Sequence, residues 1–81
     1  MNSIADFNPG DIATIIGFTG GMALQSRLVE MGFVPGIQIR VVKHAPWKGL
    51  VELKIRNYHV SIRMKDAENI KVKKYEYKSS R

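Results

Sequence analysis

The sequence contains no cysteine in its 81 residues, which removes disulfide frameworks, thiolate zinc sites and cysteine nucleophiles together. No stretch approaches the roughly 20 apolar residues that a membrane helix requires. The N-terminal MNSIADFNPG has neither the basic segment nor the apolar run of a secretory signal. Only two histidines are present, and no HxH, HxxxH or HExxH spacing links them. What remains, with 44% hydrophobic and 25% charged residues, reads as one small soluble domain, near the size at which a single core stabilises itself. An intracellular compartment is the expectation.

The formal net charge is +6, and its position along the chain decides what it means. Residues 1–70 hold eight Lys/Arg against six Asp/Glu, whereas the final KVKKYEYKSSR holds five basic residues against Glu76. Most of the excess is therefore a tail. The chain divides into a folded domain over residues 1–73 and a basic C-terminal tail over 74–81, expected to be a solvated, mobile end. The functional alternative for that tail is an electrostatic hold on an anionic membrane surface or an acidic partner.

Two segments echo each other at an offset of 26 residues: Phe7-Asn8-Pro9-Gly10-Asp11-Ile12 and Phe33-Val34-Pro35-Gly36-Ile37-Gln38. In each, Pro presets the second position of a tight turn and Gly the third, so each bends the chain directly into a β-run. Between them, Leu24, Leu28 and Met31 recur at helical spacing, predicting a helix over residues 22–31. Gly32 is placed as its left-handed terminator, with Phe33 falling where a Schellman cap sets an apolar side chain against Leu28. Beyond Pro35-Gly36 the period changes to two. Ile37, Ile39 and Val41 share one face; Val51, Leu53 and Ile55 alternate with Glu52, Lys54 and Arg56; Tyr58, Val60, Ile62 and Met64 form a third run. The last two runs read as a hairpin turning near Arg56-Asn57, with Asn57 suited to the left-handed conformation. A turn over Lys65 to Asn69 leads to a final strand, Ile70 to Val72. The expected fold is mainly β: a small antiparallel barrel of about five strands with one inserted helix.

In this order the Pro-Gly strand, the Gly17 to Gly21 loop, the helix carrying Arg27-Leu28 and ending Met31-Gly32-Phe33, the Val34-Pro35-Gly36 strand, Val60-Ser61-Ile62-Arg63, Ala67 and Ile70-Lys71-Val72 resemble the FeoA family, ferrous iron transport protein A. The resemblance spans about residues 4–73. It implies an SH3-like barrel, a cytoplasmic location, no enzymatic activity and no cofactor. It also implies an accessory or regulatory role beside FeoB, the membrane ferrous iron transporter that carries a GTPase domain. No oligomeric state follows from the pattern.

The residues themselves offer few chemical groups for catalysis. Gly17-Phe18-Thr19-Gly20-Gly21 precedes a helix but lacks the Gly-Lys-Ser/Thr ending of a phosphate-binding loop, and reads as a flexible strand-to-helix connection. His44 and His59 are weak candidates for a metal site, with Glu52, Asp66 and Glu68 as oxygen donors. Trp47 beside Lys48, and Tyr75 and Tyr77 among the tail lysines, are the aromatic–basic clusters that a nucleic-acid surface would need, but the near-neutral body argues against one. Nucleic acid is not the expected partner. Partner contact is placed on Arg27 and Glu30 of the helix and on Trp47 and Lys48 of the Ala45–Gly49 loop, where Trp47 either plugs the barrel end or faces outward as an anchor. The leading reading is a protein-binding regulator. A nucleic-acid-binding barrel and a weak divalent-metal-sensing regulator stand behind it.

Overall fold

The computed structural model describes residues 2–75. Strands β1 (Asn2–Ser3), β2 (Ile12–Phe18), β3 (Gln38–Ala45), β4 (Leu50–Ile55), β5 (Tyr58–Arg63) and β6 (Ile70–Lys74) form one sheet in the order β1-β6-β2-β3-β4-β5. All neighbours are antiparallel. Helix α1 (Met22–Glu30) is inserted between β2 and β3, and a four-residue helix α2 (Met64–Ala67) joins β5 to β6. No helix among the described residues is long and apolar enough to cross a membrane.

The sequence echo turns out to be a local two-fold relation. Asp11 N–H donates to Asn8 O at 2.9 Å and Ile37 N–H to Val34 O at 3.0 Å. Gly10 and Gly36 hold the third turn position at φ 95° and 96°, the conformation that type II turns reserve for glycine. Each turn then bonds to the other's strand: Gly10 N–H to Val41 O at 2.7 Å, and Gly36 N–H to Ile15 O at 2.8 Å. In return Val41 N–H donates to Asp11 O and Ile15 N–H to Ile37 O, both at 2.9 Å. The same 26-residue offset relates Gly10 to Gly36 and Ile15 to Val41, so the repeated motif builds both ends of the β2–β3 pair.

Alternation then fills the core. Ala13, Ile15, Ile39, Val41, Val51, Leu53, Ile55, Ile62, Ile70 and Val72 point inward and are buried, joined by Ile4, Phe7, Leu28, Phe33 and Ala67. Helix α2 touches β4, β5 and the Ile4–Asp6 turn beside β1. The two ends of the sheet therefore meet across α2, and the sheet closes around one core.

Helix α1 ends as its sequence predicts, one residue early. Gly32 has φ 106°, Gly32 N–H donates to Val29 O at 2.9 Å and Phe33 N–H to Leu28 O at 3.0 Å, the two bonds of a complete Schellman motif. Leu28 and Phe33 are both buried in the core, with Leu24 and Met31 packed partly against it.

Several expectations need correcting. The sheet has six strands, because β1 adds Asn2↔Val72 and Ser3↔Lys71 pairs; two residues are too few for a period to register. Helix α2 occupies the start of the expected turn and ends β5 at Arg63, so Met64 leaves the strand. In the β4–β5 hairpin the left-handed residue is Arg56 at φ 53°, not Asn57. The Gly17 to Gly21 loop is tied down: Thr19 N–H donates to Asn69 O at 2.9 Å and Thr19 Oγ1–H to Asn69 Oδ1 at 2.8 Å.

Tyr58, placed by alternation on the inward face, is 43% exposed. Its hydroxyl donates to Met31 O at 2.6 Å, supplying a carbonyl at the helix end that has no helical N–H to meet it. Tyr58→Phe is expected to cost about 1 kcal/mol, the worth of one such bond, in urea unfolding, together with faster amide exchange over Gly32 and Phe33.

Candidate protein-docking site

The loop between β3 and β4 is a one-turn 3-10 helix, Pro46–Lys48. Pro46 opens it where a missing N–H is harmless, and Gly49 N–H closes it on Pro46 O at 3.0 Å. Gly49 O in turn accepts Met64 N–H at 2.8 Å, which ties the loop to the start of α2. Trp47 is held at the apex, 72% exposed, with Lys48 exposed beside it. Of the two roles open to Trp47, the barrel plug is therefore excluded. An indole left in water on a short, hydrogen-bonded turn has the form of an interface anchor: large apolar area, two rotatable bonds and one donor.

Two shallow clefts flank this position. One, of about 140 Å³, has Trp47, Lys48, Lys43, Leu50, Glu52 and Ser61 on its walls. The other, of about 290 Å³, is lined by Arg27, Met31, Ser61, Ile62, Arg63 and Asp66. Ser61 belongs to both, so the structure brings Trp47–Lys48 and Arg27 to adjoining parts of one surface across β5. Glu30 is exposed on α1, outside both clefts.

Arg27 has a partner within the chain. Its Nη2 lies 3.2 Å from Asp66 Oδ2, with side chains 60% and 23% exposed. At that exposure the pair contributes about 0.2–1 kcal/mol and ties α1 to α2, so a change at Arg27 alters helix docking as well as any contact outside. Asp66, by residue type a candidate metal donor, is held in this ion pair, and Ser61 is not among the residues the sequence singles out. Its signal was present in outward alternation along β5, but the clefts that share it are formed by residues distant in sequence.

The histidines are separated by the sheet. An extra residue in β3, between Val41 and Lys43, shifts the register so that His44 pairs with buried Val51 on the core side. His44 Nε2–H donates to Phe7 O at 2.7 Å; a carbonyl only accepts, so that nitrogen carries the hydrogen. His59 pairs with Lys54 on the outward face, and its Nδ1 meets Glu52 Oε2 at 3.2 Å. Among the described residues no group of three or more His, Asp and Glu is placed to hold a metal ion. At the C-terminal end β6 runs through Lys74, and Tyr75 N–H donates to Ile12 O at 3.0 Å. The rest of the expected tail, residues 76–81 with Tyr77, lies outside the described residues.

Comparison with known proteins gives this surface a context. A sequence model of the FeoA domain matches residues 2–74. The chain is 39% identical over 69 residues to the Fe(2+) transport protein A/Fe(2+) transporter FeoB fusion protein of Porphyromonas gingivalis, a match covering 85% of this chain and 8% of the length of that one. Iron(II) transport protein A from Clostridium thermocellum has the same architecture, with a TM-score of 0.81 and 33% identity over 89% of this chain and 44% of its own. FeoA of Stenotrophomonas maltophilia in complex with zinc, described as a prokaryotic SH3 domain protein, has a TM-score of 0.76 at 21% identity, over 90% of this chain and 91% of its own. At that identity the likeness is one of fold, and the fold is SH3-like.

Proposed function

The chain belongs to the FeoA domain family, and on that premise we propose that it is a small cytoplasmic regulator of ferrous iron uptake that docks on the GTPase-containing cytoplasmic region of a FeoB-type transporter. The observation that carries this reading is the fusion: in the P. gingivalis protein a segment 39% identical to this chain shares a polypeptide with FeoB. Joining two modules raises their effective concentration for one another. That arrangement is useful when the modules act together, and it supports an association between them when they are separate chains.

A module that acts by binding alone changes its partner only by preferring one of the partner's states. In this reading Trp47 is the buried anchor of the interface, and Lys48, Arg27 and Glu30 belong to its polar rim. Trp47→Ala is expected to weaken association with the cytoplasmic region about 30-fold or more, the hot-spot scale of about 2 kcal/mol. The thermal midpoint should hardly move, because an exposed side chain is removed. Calorimetric titration of native and variant chains with the purified cytoplasmic region checks this. Unchanged affinity in the variant removes Trp47 from the interface, and no association of the native chain overturns the reading.

A further inference from the structure

We propose that the outward face of β2, β3 and β4 is a basic groove that receives an acidic, extended segment of the protein partner. The proposal rests on the reading of the chain as a module that docks on the transporter's cytoplasmic region, and it places the acidic segment in that region.

The groove has a volume of about 610 Å³ and shares no lining residue with the two clefts around Ser61. Half-buried Ile12 is its outward apolar residue, with Ile37 at its edge packed partly against the core; Gln38 adds an amide, and Arg40, Lys54 and Arg56 supply three positive charges. No Asp or Glu lines it. Across Thr14, which pairs with Gln38 on one side and Lys73 on the other, the basic band reaches β6. The next outward residue of β4 after Lys54 is Glu52, outside the groove lining, whose carboxylate lies 3.2 Å from His59 Nδ1.

Two features of the groove work against the fold itself. Arg40 and Lys54 are direct cross-strand partners, both exposed, and like charges set opposite one another weaken strand pairing. Arg56 takes φ 53° as a non-glycine residue, a conformation that costs free energy and is uncommon for a long side chain. The charge opposition is not required by the packing, since both side chains point to solvent; the positive φ is what a two-residue hairpin turn asks of its first central position, but the choice of arginine over glycine there is not. Residue choices that cost local stability are expected where function requires them. Here both lie on the same groove, and an incoming carboxylate relieves the first of them.

The chemistry of the lining selects the occupant. No aromatic side chain lines the groove, so it lacks the stacking platform on which single-stranded nucleic acid is held. Ile12 flanked by guanidinium and ammonium groups suits a polypeptide that carries carboxylates beside an apolar side chain. The outward residues of β4 run from Leu50, in the Trp47 cleft, through Glu52 to Lys54, with Arg56 following in the turn, about 20 Å from Leu50 to Arg56. The Trp47 cleft and the basic groove therefore lie along one strand face, with Glu52 between them.

The test uses the isotope-labelled full chain, titrated at physiological ionic strength with three probes: a synthetic decapeptide of Asp, Glu and Leu, its Asn/Gln counterpart, and a deoxythymidine decamer. The proposal expects amide shifts over Gln38–Arg40 and Lys54–Arg56 with the acidic peptide, weakened by added salt, and none there with the neutral one. Lys54→Glu is expected to bind both the peptide and the transporter's cytoplasmic region roughly ten-fold more weakly. Its thermal midpoint should equal or exceed that of the native chain, as should that of Arg56→Gly, which separates lost binding from lost folding. If Lys54→Glu binds the cytoplasmic region as the native chain does, the groove is not the docking surface, while the reading of the partner stands. If the native chain fails to bind that region, the reading falls with the proposal. Tighter binding of the decamer than of the peptide at these amides overturns the proposal in favour of nucleic acid.

Discussion

Phe33→Ala is expected to remove about 3–5 kcal/mol of stability, the scale of a large aromatic deleted from a packed core. A domain of this size typically has about 5–10 kcal/mol in all, so the variant should sit close to its unfolding transition at physiological temperature. Phe33 is fully buried, and its position is over-determined. Its N–H closes the Schellman bond on Leu28 O, its side chain packs in the cluster that holds Leu28, and the Val34–Ile37 turn that starts β3 follows at once. Truncation therefore opens a cavity and also releases the clasp between α1 and the barrel. Urea unfolding followed by circular dichroism measures the loss. A cost below about 1 kcal/mol, within the range of ordinary substitutions, would mean that the helix end is not anchored through this ring.

Gly32→Ala is the second large effect, at about 2–3 kcal/mol. Part of it is conformational: φ 106° lies where an L side chain costs about 1–2 kcal/mol. The rest is steric. A Cβ added at Gly32 runs into the Tyr58 hydroxyl, and moving that hydroxyl breaks its bond to Met31 O, worth about 1 kcal/mol. The two contributions separate in a double-mutant cycle with Tyr58→Phe, which removes the obstructing oxygen. The second substitution should recover about 1 kcal/mol of the cost of the first. Strict additivity would show that Tyr58 does not press on the helix end.

Much of the barrel is legible in the residues because its signals are local. Pro9-Gly10 and Pro35-Gly36 announce two turns of one kind, and Leu28-x-x-x-Gly32-Phe33 specifies its own helix stop. The alternation at Val51, Leu53 and Ile55 assigns the core face directly. The parts that were missed depend on register or on very short elements. The two-residue β1 and the four-residue α2 fall below any period. The extra residue after Val41 turns His44 from a surface position to the core side, which no alternation pattern reports. For the candidate site, sequence supplied Trp47, Lys48, Arg27 and Glu30 but not their relation. Arg27 meets Asp66 across 39 residues, and the opposition of Arg40 to Lys54 exists only once β3 and β4 are paired. Whether Trp47 plugged the barrel or faced outward was undecidable until the Pro46–Lys48 turn fixed it at the surface.

In the function proposed above, this barrel works by binding the cytoplasmic region of a ferrous iron transporter. Sedimentation of the native chain at physiological ionic strength, mixed in turn with that purified region and with single-stranded oligonucleotide, tests it most directly. A saturable complex with the transporter region is expected, one that persists when the salt is doubled, because an apolar anchor at Trp47 is screened far less than surface charge. No complex with that region, alongside a strongly salt-sensitive complex with the oligonucleotide, would contradict it.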